Sequence, residues 1–354
     1  MKKVSILAAT ALVAVGCNKK PLEMPAAPVY PDMEAPVSFG ATADVEVTPS
    51  KAQSTVPTSQ KLGVFAFKAD THPTTNGSDE ADNALWCEAE NKEYTWQSDA
   101  FAENGTKTLF WPGTGTADSK LSFTSYFPYQ SDGVNSYVLT KSLKNQSAAP
   151  DYGFAWASLD GVERPKPVSA QELNFTYKIA KITFSIVGDD EGTVGAGGIT
   201  ATDVKSIKIY SSGKGLYDTY NLDLLTGTPS GTTDIQQGDP MVLKGVEQEG
   251  GMSKPSNNKY VEAVAYVAPS VESELKSNGI TVEIVHNDGV SDQTYTATIN
   301  SSTNGLQSDD AKLANGLVEG KNYKYTLKLG KSGITFTGKV TDWTDVDGGA
   351  VELE

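Results

Sequence analysis

Between Ala35 and Ser50 the chain reads APVSFGATADVEVTPS, and the apolar side chains of Val37, Phe39, Ala41, Ala43, Val45 and Val47 fall on every second position. Ser38, Thr42, Asp44, Glu46 and Thr48 lie between them. A period of two puts all six apolar groups on one side of an extended backbone, which predicts a strand with one dry face and one wet face. Pro36 and Pro49 bracket the run. Proline cannot donate to a ladder, so it suits a strand end or an edge and not the middle of a sheet.

Runs of the same kind recur along the chain. Leu62–Phe67 (LGVFAF), Tyr94–Trp96, Thr108–Pro112 (TLFWP), Leu121–Pro128 (LSFTSYFP), the Tyr137, Leu139, Leu143 set and Asp151–Ala157 (DYGFAWA) predict strands of a first sandwich, whose aromatics fill the space between sheets. Residues 51–60 and 68–92 are polar and read as connections. In Leu173–Gly188 (LNFTYKIAKITFSIVG), Leu173, Phe175, Tyr177 and Ile179 share one parity, and Ala180, Ile182, Phe184 and Ile186 share the other. Such a slip turns every side chain to the opposite face, so the strand must bend into a new layer there. A domain boundary is therefore expected near Ile179–Ala180.

Beyond it, 204–209, 217–225, 241–243, 260–267, 280–285, 293–299, 322–329 and 334–343 predict further strands, with a hairpin signal at Asn287-Asp288-Gly289 and one short helical turn at Asp309–Leu317. The expected fold is all-β: two tandem antiparallel β-sandwich domains, 35–179 and 180–354. A length of 354 residues suits about two domains and needs no covalent staples.

The first 34 residues carry an address. Lys2 and Lys3 precede a short apolar core, Val4–Val15, with Gly16 ahead of Cys17. The run is too short to span a bilayer, so 1–16 reads as a secretion signal. A cysteine directly after the small residue resembles the bacterial lipobox, although Ala14 stands where Leu or Val is commoner. Cys17 is then the expected lipid attachment site, and several acyl chains would hold the protein firmly on a membrane. Residues 17–34 contain four prolines and no period, as a tether does.

Composition narrows the chemistry. The net charge of -15 offers no basic footprint, which excludes nucleic acid as a partner. With Cys17 lipidated, Cys87 has no disulfide partner and reads as a small core hydrophobe beside Trp86. The two histidines, His72 and His286, read as surface or turn residues and not as members of a triad or metal site. The run Asp342, Asp345, Asp347, Gly348 fails the calcium-loop spacing because Trp343 stands where the first carboxylate ligand should be. Asp189, Asp190 and Glu191 read as a solvated turn, and Gly195–Gly198 and Gly213-Lys214-Gly215 as turns without a phosphate-loop lysine. Trp86, Trp96, Trp111, Trp156 and Trp343 suit core and strand ends better than a sugar platform. No catalytic residue, metal or cofactor is expected.

Taken in order, Cys17, VSF (37–39), LGVFAF (62–67), FWP (110–112), LSFTSYFP (121–128), the 173–186 strand, GKNYKYTLKL (320–329) and ITFTGKVTDW (334–343) resemble the fimbrillin family of type V pilus subunits of Gram-negative anaerobes. The resemblance runs over nearly the whole chain. It implies transthyretin-like sandwiches and a lipidated precursor on the outer membrane. A surface protease then removes the first strand, and a strand from the next subunit fills the groove. The displaced strand would be Val37–Val47, and the resemblance nominates the strands at 322–329 and 334–343 as donors. The implied partners are other pilin subunits, as a homo- or heteropolymer, the outer membrane, and a host or bacterial surface ligand. The family's protease cuts after Arg, but the only Arg here is Arg164, and Lys51 stands where the cut would fall. Two alternatives follow: trimming at or near Lys51 by another protease, which is carried forward, or an untrimmed subunit that stays lipid-anchored.

Overall fold

The computed structural model describes residues 35–342 apart from 48–49, 76–83, 114–119, 149–151, 189–198, 250–258, 288, 304–305, 307–311 and 331–332. In chain order the first strands are β1 (Ser38–Val47), β2 (Ser50–Thr55), β3 (Lys61–Phe67), β4 (Lys92–Gln97), β5 (Ala100–Glu103) and β6 (Lys120–Phe127). They are followed by β7 (Val134–Asn135), β8 (Val138–Ser142), β9 (Asn145–Gln146), β10 (Ala155–Glu163) and β11 (Gln171–Tyr177). Then come β12 (Ala180–Gly188), β13 (Val204–Tyr210), β14 (Tyr217–Asp223), β15 (Pro229–Asp234), β16 (Met241–Leu243) and β17 (Gly245–Glu249). The last are β18 (Lys259–Val267), helix α1 (Ser273–Asn278), β19 (Ile280–Asn287), β20 (Asp292–Ile299), β21 (Lys321–Gly330) and β22 (Gly333–Asp342).

The largest sheet runs β11-β10-β6-β3-β4-β5-β1-β2, and β1 also pairs with β11. Seven strands therefore close into a ring through β1, and β2 hangs from its far end. Neighbours in the ring are antiparallel except β1 and β11, which run parallel. Directly opposed residues share a face, so Val64 and Ala66 of β3 side with Ser125 and Phe123 of β6. That face lines the ring, where Phe123 meets Phe39. The other face carries Phe65 and Phe67 against Tyr137. With both faces covered, β3 is buried from Leu62 to Phe67.

Three smaller sheets follow: β15-β14-β8-β7, β20-β19-β13-β16-β9 and β17-β18-β12-β21-β22. The segment 134–146 thus pairs with strands from beyond residue 180. Buried Gln146 fixes this crossing: its Nε2 donates to the Leu143 and Tyr266 carbonyls (2.9 and 2.8 Å), and Tyr266 N donates back to its Oε1 (2.9 Å). Phe154 stacks on Tyr220 at 5.5 Å, and Trp156 Nε1 donates to the Leu224 carbonyl at 2.9 Å. The Trp156 indole lies so close over Gly227, a turn residue with φ +66°, that no Cβ would fit.

β11 passes into β12 across Lys178 and Ile179 alone, and the parity change in the sequence falls on this step. The joint is pinned. Lys178 N donates to the Phe154 carbonyl, Tyr220 Oη donates to the Lys178 carbonyl, Gly320 N donates to the Ile179 carbonyl, and Lys178 Nζ pairs with Glu319 at 3.0 Å.

Three expectations change. Residues 50–55 form β2 although they are polar; among the described residues its ladder is with β1. Thr108–Pro112 is not a strand; its one ladder contact is a bridge between Pro36 and Phe110. Within Asp309–Leu317 the described residues 312–315 are turn, not helix, and the described α-helix is α1 at Ser273–Asn278. The hairpin expected at Asn287-Asp288-Gly289 joins β19 to β20, with Asn287 the last residue of β19, opposite Asp292.

Candidate functional site

The feature that sets this molecule apart from a simple sandwich is the seat of β1. On one side Phe39–Ala43 pairs in parallel with Gln171–Phe175 of β11. On the other, Ser38 and Phe39 pair with Ala102 and Phe101 of β5, and from Thr42 onward the neighbour is β2. Ahead of the strand, Val37 N donates to the Leu109 carbonyl (3.1 Å) and Trp111 N to the Ala35 carbonyl (3.0 Å).

Val37, Phe39, Ala41 and Ala43 all point inward and are buried. Phe39 is the anchor, with no exposed surface, edge-on to Phe123 at 5.1 Å and tilted against Tyr94 at 5.5 Å. Tyr94 Oη donates to the Val37 carbonyl at 3.4 Å, and burial, reinforced by nearby Glu103, holds its pKa well above the ordinary phenol value. Buried Trp111 closes the floor, 5.9 Å from Phe123. The outward face is different in kind. Gly40 lies beneath the Glu172 carboxylate, and Thr42 Oγ1 donates to Asn174 Oδ1 at 2.8 Å.

One residue that supports the seat gave no signal in the sequence. Glu103, at the end of β5, is buried and accepts from Thr108 N (2.6 Å), Thr108 Oγ1 (2.5 Å) and Leu109 N (2.9 Å). Its carboxylate shapes the turn that delivers the Leu109 carbonyl to Val37.

Chemically, the seat offers two backbone edges and an aromatic pocket to an extended peptide running parallel to β11. With β1 absent, the amides and carbonyls of 171–175 and 101–102 that face it would be unpaired. The ring would also lose its Phe39 plug. Of the nominated donors, β21 is paired along both edges, by β12 and β22. Among the described residues, β22 is laddered to β21 and makes one bridge, Gly338 with Leu306, on its other edge.

Cys17 lies outside the described residues, as do Asp189, Asp190, Glu191, Gly195–Gly198, Trp343, Asp345, Asp347 and Gly348. Val45, Val47 and Lys51 are described in backbone only, with Lys51 in β2 opposite Glu46. Cys87 is buried, and burial pushes its thiol pKa up. His72 sits in a loop with Nδ1 2.7 Å from Asp160 Oδ1. His286, expected at the surface, is instead buried within β19, because the strand runs on to Asn287 and directs it inward. Trp86 and Trp111 are buried, and Trp96 and Trp156 half-buried. Among the described residues no group of three or more His, Cys, Asp or Glu could hold a metal, and no helix is long and apolar enough to cross a membrane.

Comparison with known proteins gives a consistent picture. Residues 49–343 match the family described as fimbrillin-like, a span that starts just past β1. A curated relative from Bacteroides uniformis, designated a fimbrium subunit (Fim1C), is 23% identical over 314 residues, covering 88% of this chain and 87% of its own. A crystal structure described as a cell adhesion protein from the same species superposes with a TM-score of 0.56 at 19% identity, over 87% of this chain and 99% of the other. One from Bacteroides ovatus, described likewise, gives 0.53 at 16% identity, over 88% and 99%.

Proposed function

The chain belongs to the fimbrillin-like family, and from that premise we propose that it is a structural subunit of a cell-surface fimbria, polymerising by donor-strand exchange and supporting adhesion. The observation that carries this reading is the ring closed by a single parallel strand. β1 satisfies two sheet edges and fills one aromatic pocket, yet its outward positions Ser38, Gly40 and Thr42 stay half-exposed. A strand from another subunit can meet the same demands, since the main chain gives affinity and alternate pockets give specificity. In this reading the precursor is lipidated at Cys17 and carried to the outer membrane, cleavage at or near Lys51 frees β1, and the partners are other fimbrial subunits. On the same reading the transthyretin-like sandwich that receives the donor comes from 35–179, apart from the 134–146 segment that pairs with strands beyond residue 180, and 180–354 supplies the donor. The role is structural, with no catalysis and no cofactor.

The test is the N-terminal residue of protein recovered from the cell surface. A start near Lys51 or Ala52, with a ladder of oligomers on unboiled gels, is the expected result. Full-length monomer beginning at Cys17 would remove the polymerising role. It would favour the second reading, a lipid-anchored subunit or surface adhesin that keeps its first strand. One observation favours that alternative: the only arginine, Arg164, lies between β10 and β11, away from the β1–β2 connection.

A further inference from the structure

The seat of β1 contains one buried hydrogen-bond donor that β1 does not meet. Trp86 Nε1 donates to the Phe110 carbonyl at 2.7 Å, and Trp156 Nε1 to the Leu224 carbonyl at 2.9 Å. Trp111 has no exposed surface, and its Nε1 finds no acceptor among the described residues. An indole N–H only donates, in the plane of its ring, so it cannot turn to a new partner as a hydroxyl can. Buried donors are paired with few exceptions, and an unpaired one costs the folded state its lost water contacts.

The bridge between Pro36 and Phe110 fixes what surrounds this ring. It sets Ala35 opposite Trp111, and Val37 opposite Leu109 and diagonal to Trp111, all on one face. All four are buried. The Trp111 ring reaches Phe123, which Phe39 also meets. Ala35, Val37 and Phe39 bring no side-chain acceptor to it. The Ala35 and Val37 carbonyls are already taken, by Trp111 N and Tyr94 Oη. β1 fills the pocket and leaves the donor over.

We infer that Trp111 Nε1 is a specificity subsite of the seat, selecting an extended segment with a hydroxyl or side-chain carbonyl where β1 has Val37. The inference rests on the donor-strand reading above and adds the chemistry that the seat selects for. A site holding a buried donor discriminates against an occupant that lacks the acceptor. Here the strand present in the precursor is such an occupant. Replacing it with a segment that carries serine, threonine or asparagine at that position pairs the indole, which gives the exchange a direction.

The test begins with the intact chain. Val37→Thr keeps the side-chain shape and adds an acceptor; at an ordinary core position it loses stability, because the hydroxyl is buried unpaired. Here it should raise the folding equilibrium constant roughly fivefold in urea unfolding, and Trp111→Phe should abolish that gain. The Trp111 indole N–H resonance should also move downfield in Val37→Thr, which decides the matter if Trp111→Phe does not fold. An equal effect of Val37→Thr in both backgrounds, or an unmoved resonance, would overturn the inference. Coupling to Trp111 through Ala35→Ser instead would overturn the position. A second arm uses the full chain with a specific protease sequence in place of residues 50–52, folded and then cut. A synthetic 35–47 peptide with Val37→Thr should displace the cleaved strand roughly fivefold better than the unaltered peptide. Equal displacement by the two peptides would overturn the inference and leave strand exchange standing. A seat that exchanges with neither peptide would overturn the donor-strand reading, and the intact-chain coupling would still decide the subsite.

Discussion

The molecule contains two parallel seams of the same plan. β11 pairs in parallel with β1, which turns back into β2; β12, its direct continuation, pairs in parallel with β21, which turns back into β22. The second seam has eight residue pairs, and β21 brings buried Tyr323, Tyr325, Leu327 and Leu329 to it. The first has five, and apart from Phe39 its inward residues on β1 are small. Burial scales with side-chain area, so the same geometry holds β21 more firmly than it holds β1.

The comparison can be broken at four places, in falling order of effect. Tyr325→Ala removes an aromatic buried in the second seam and should cost about 4 kcal/mol in denaturant unfolding. A change below 1 kcal/mol would mean that the second seam is no firmer than the first. Phe39→Ala should cost about 3 kcal/mol in the intact chain. Once the chain is cut after β1, it should also speed loss of the cleaved strand roughly a hundredfold, followed by mass spectrometry. An unchanged release rate would show that backbone pairing, not the pocket, retains β1. Glu103→Ala leaves Thr108 and Leu109 amides without their acceptor and should cost about 2 kcal/mol. Hydrogen exchange should rise first at Val37 and Leu109; protection lost evenly over the ring would contradict a local role. Thr42→Val removes one outward bond to Asn174 and should cost about 0.5 kcal/mol, measured as a midpoint shift in urea. A larger loss would mean that the wet face of β1 matters as much as the dry one.

These contrasts also mark what the sequence could disclose. β1 and β12 were legible because burial alternates or changes parity with the chain, and burial is written in residue type. β2, β15 and β17 were not, since SKAQST, PSGTTD and GVEQE are edge strands held by backbone pairing with little apolar signal. At the seat, the inward residues Val37, Phe39, Ala41 and Ala43 could be read directly, but the walls come from 101–102, 109–111 and 171–175. Nothing local joins those stretches, and the acceptor role of Glu103 exists only after they meet. His286 failed for a related reason: a turn signal was read one residue too early, which put a core side chain in solvent.

The two-residue joint at Lys178 and Ile179 has a mechanical consequence. Tension entering through whatever lies against β11 reaches β12 along covalent bonds, without crossing a flexible linker. Because each partner runs in the same direction as the strand it grips, the pull slides one strand along the other. All the rungs of each ladder then resist together, where peeling would break them singly. A thread built from such units would stretch little before it parted.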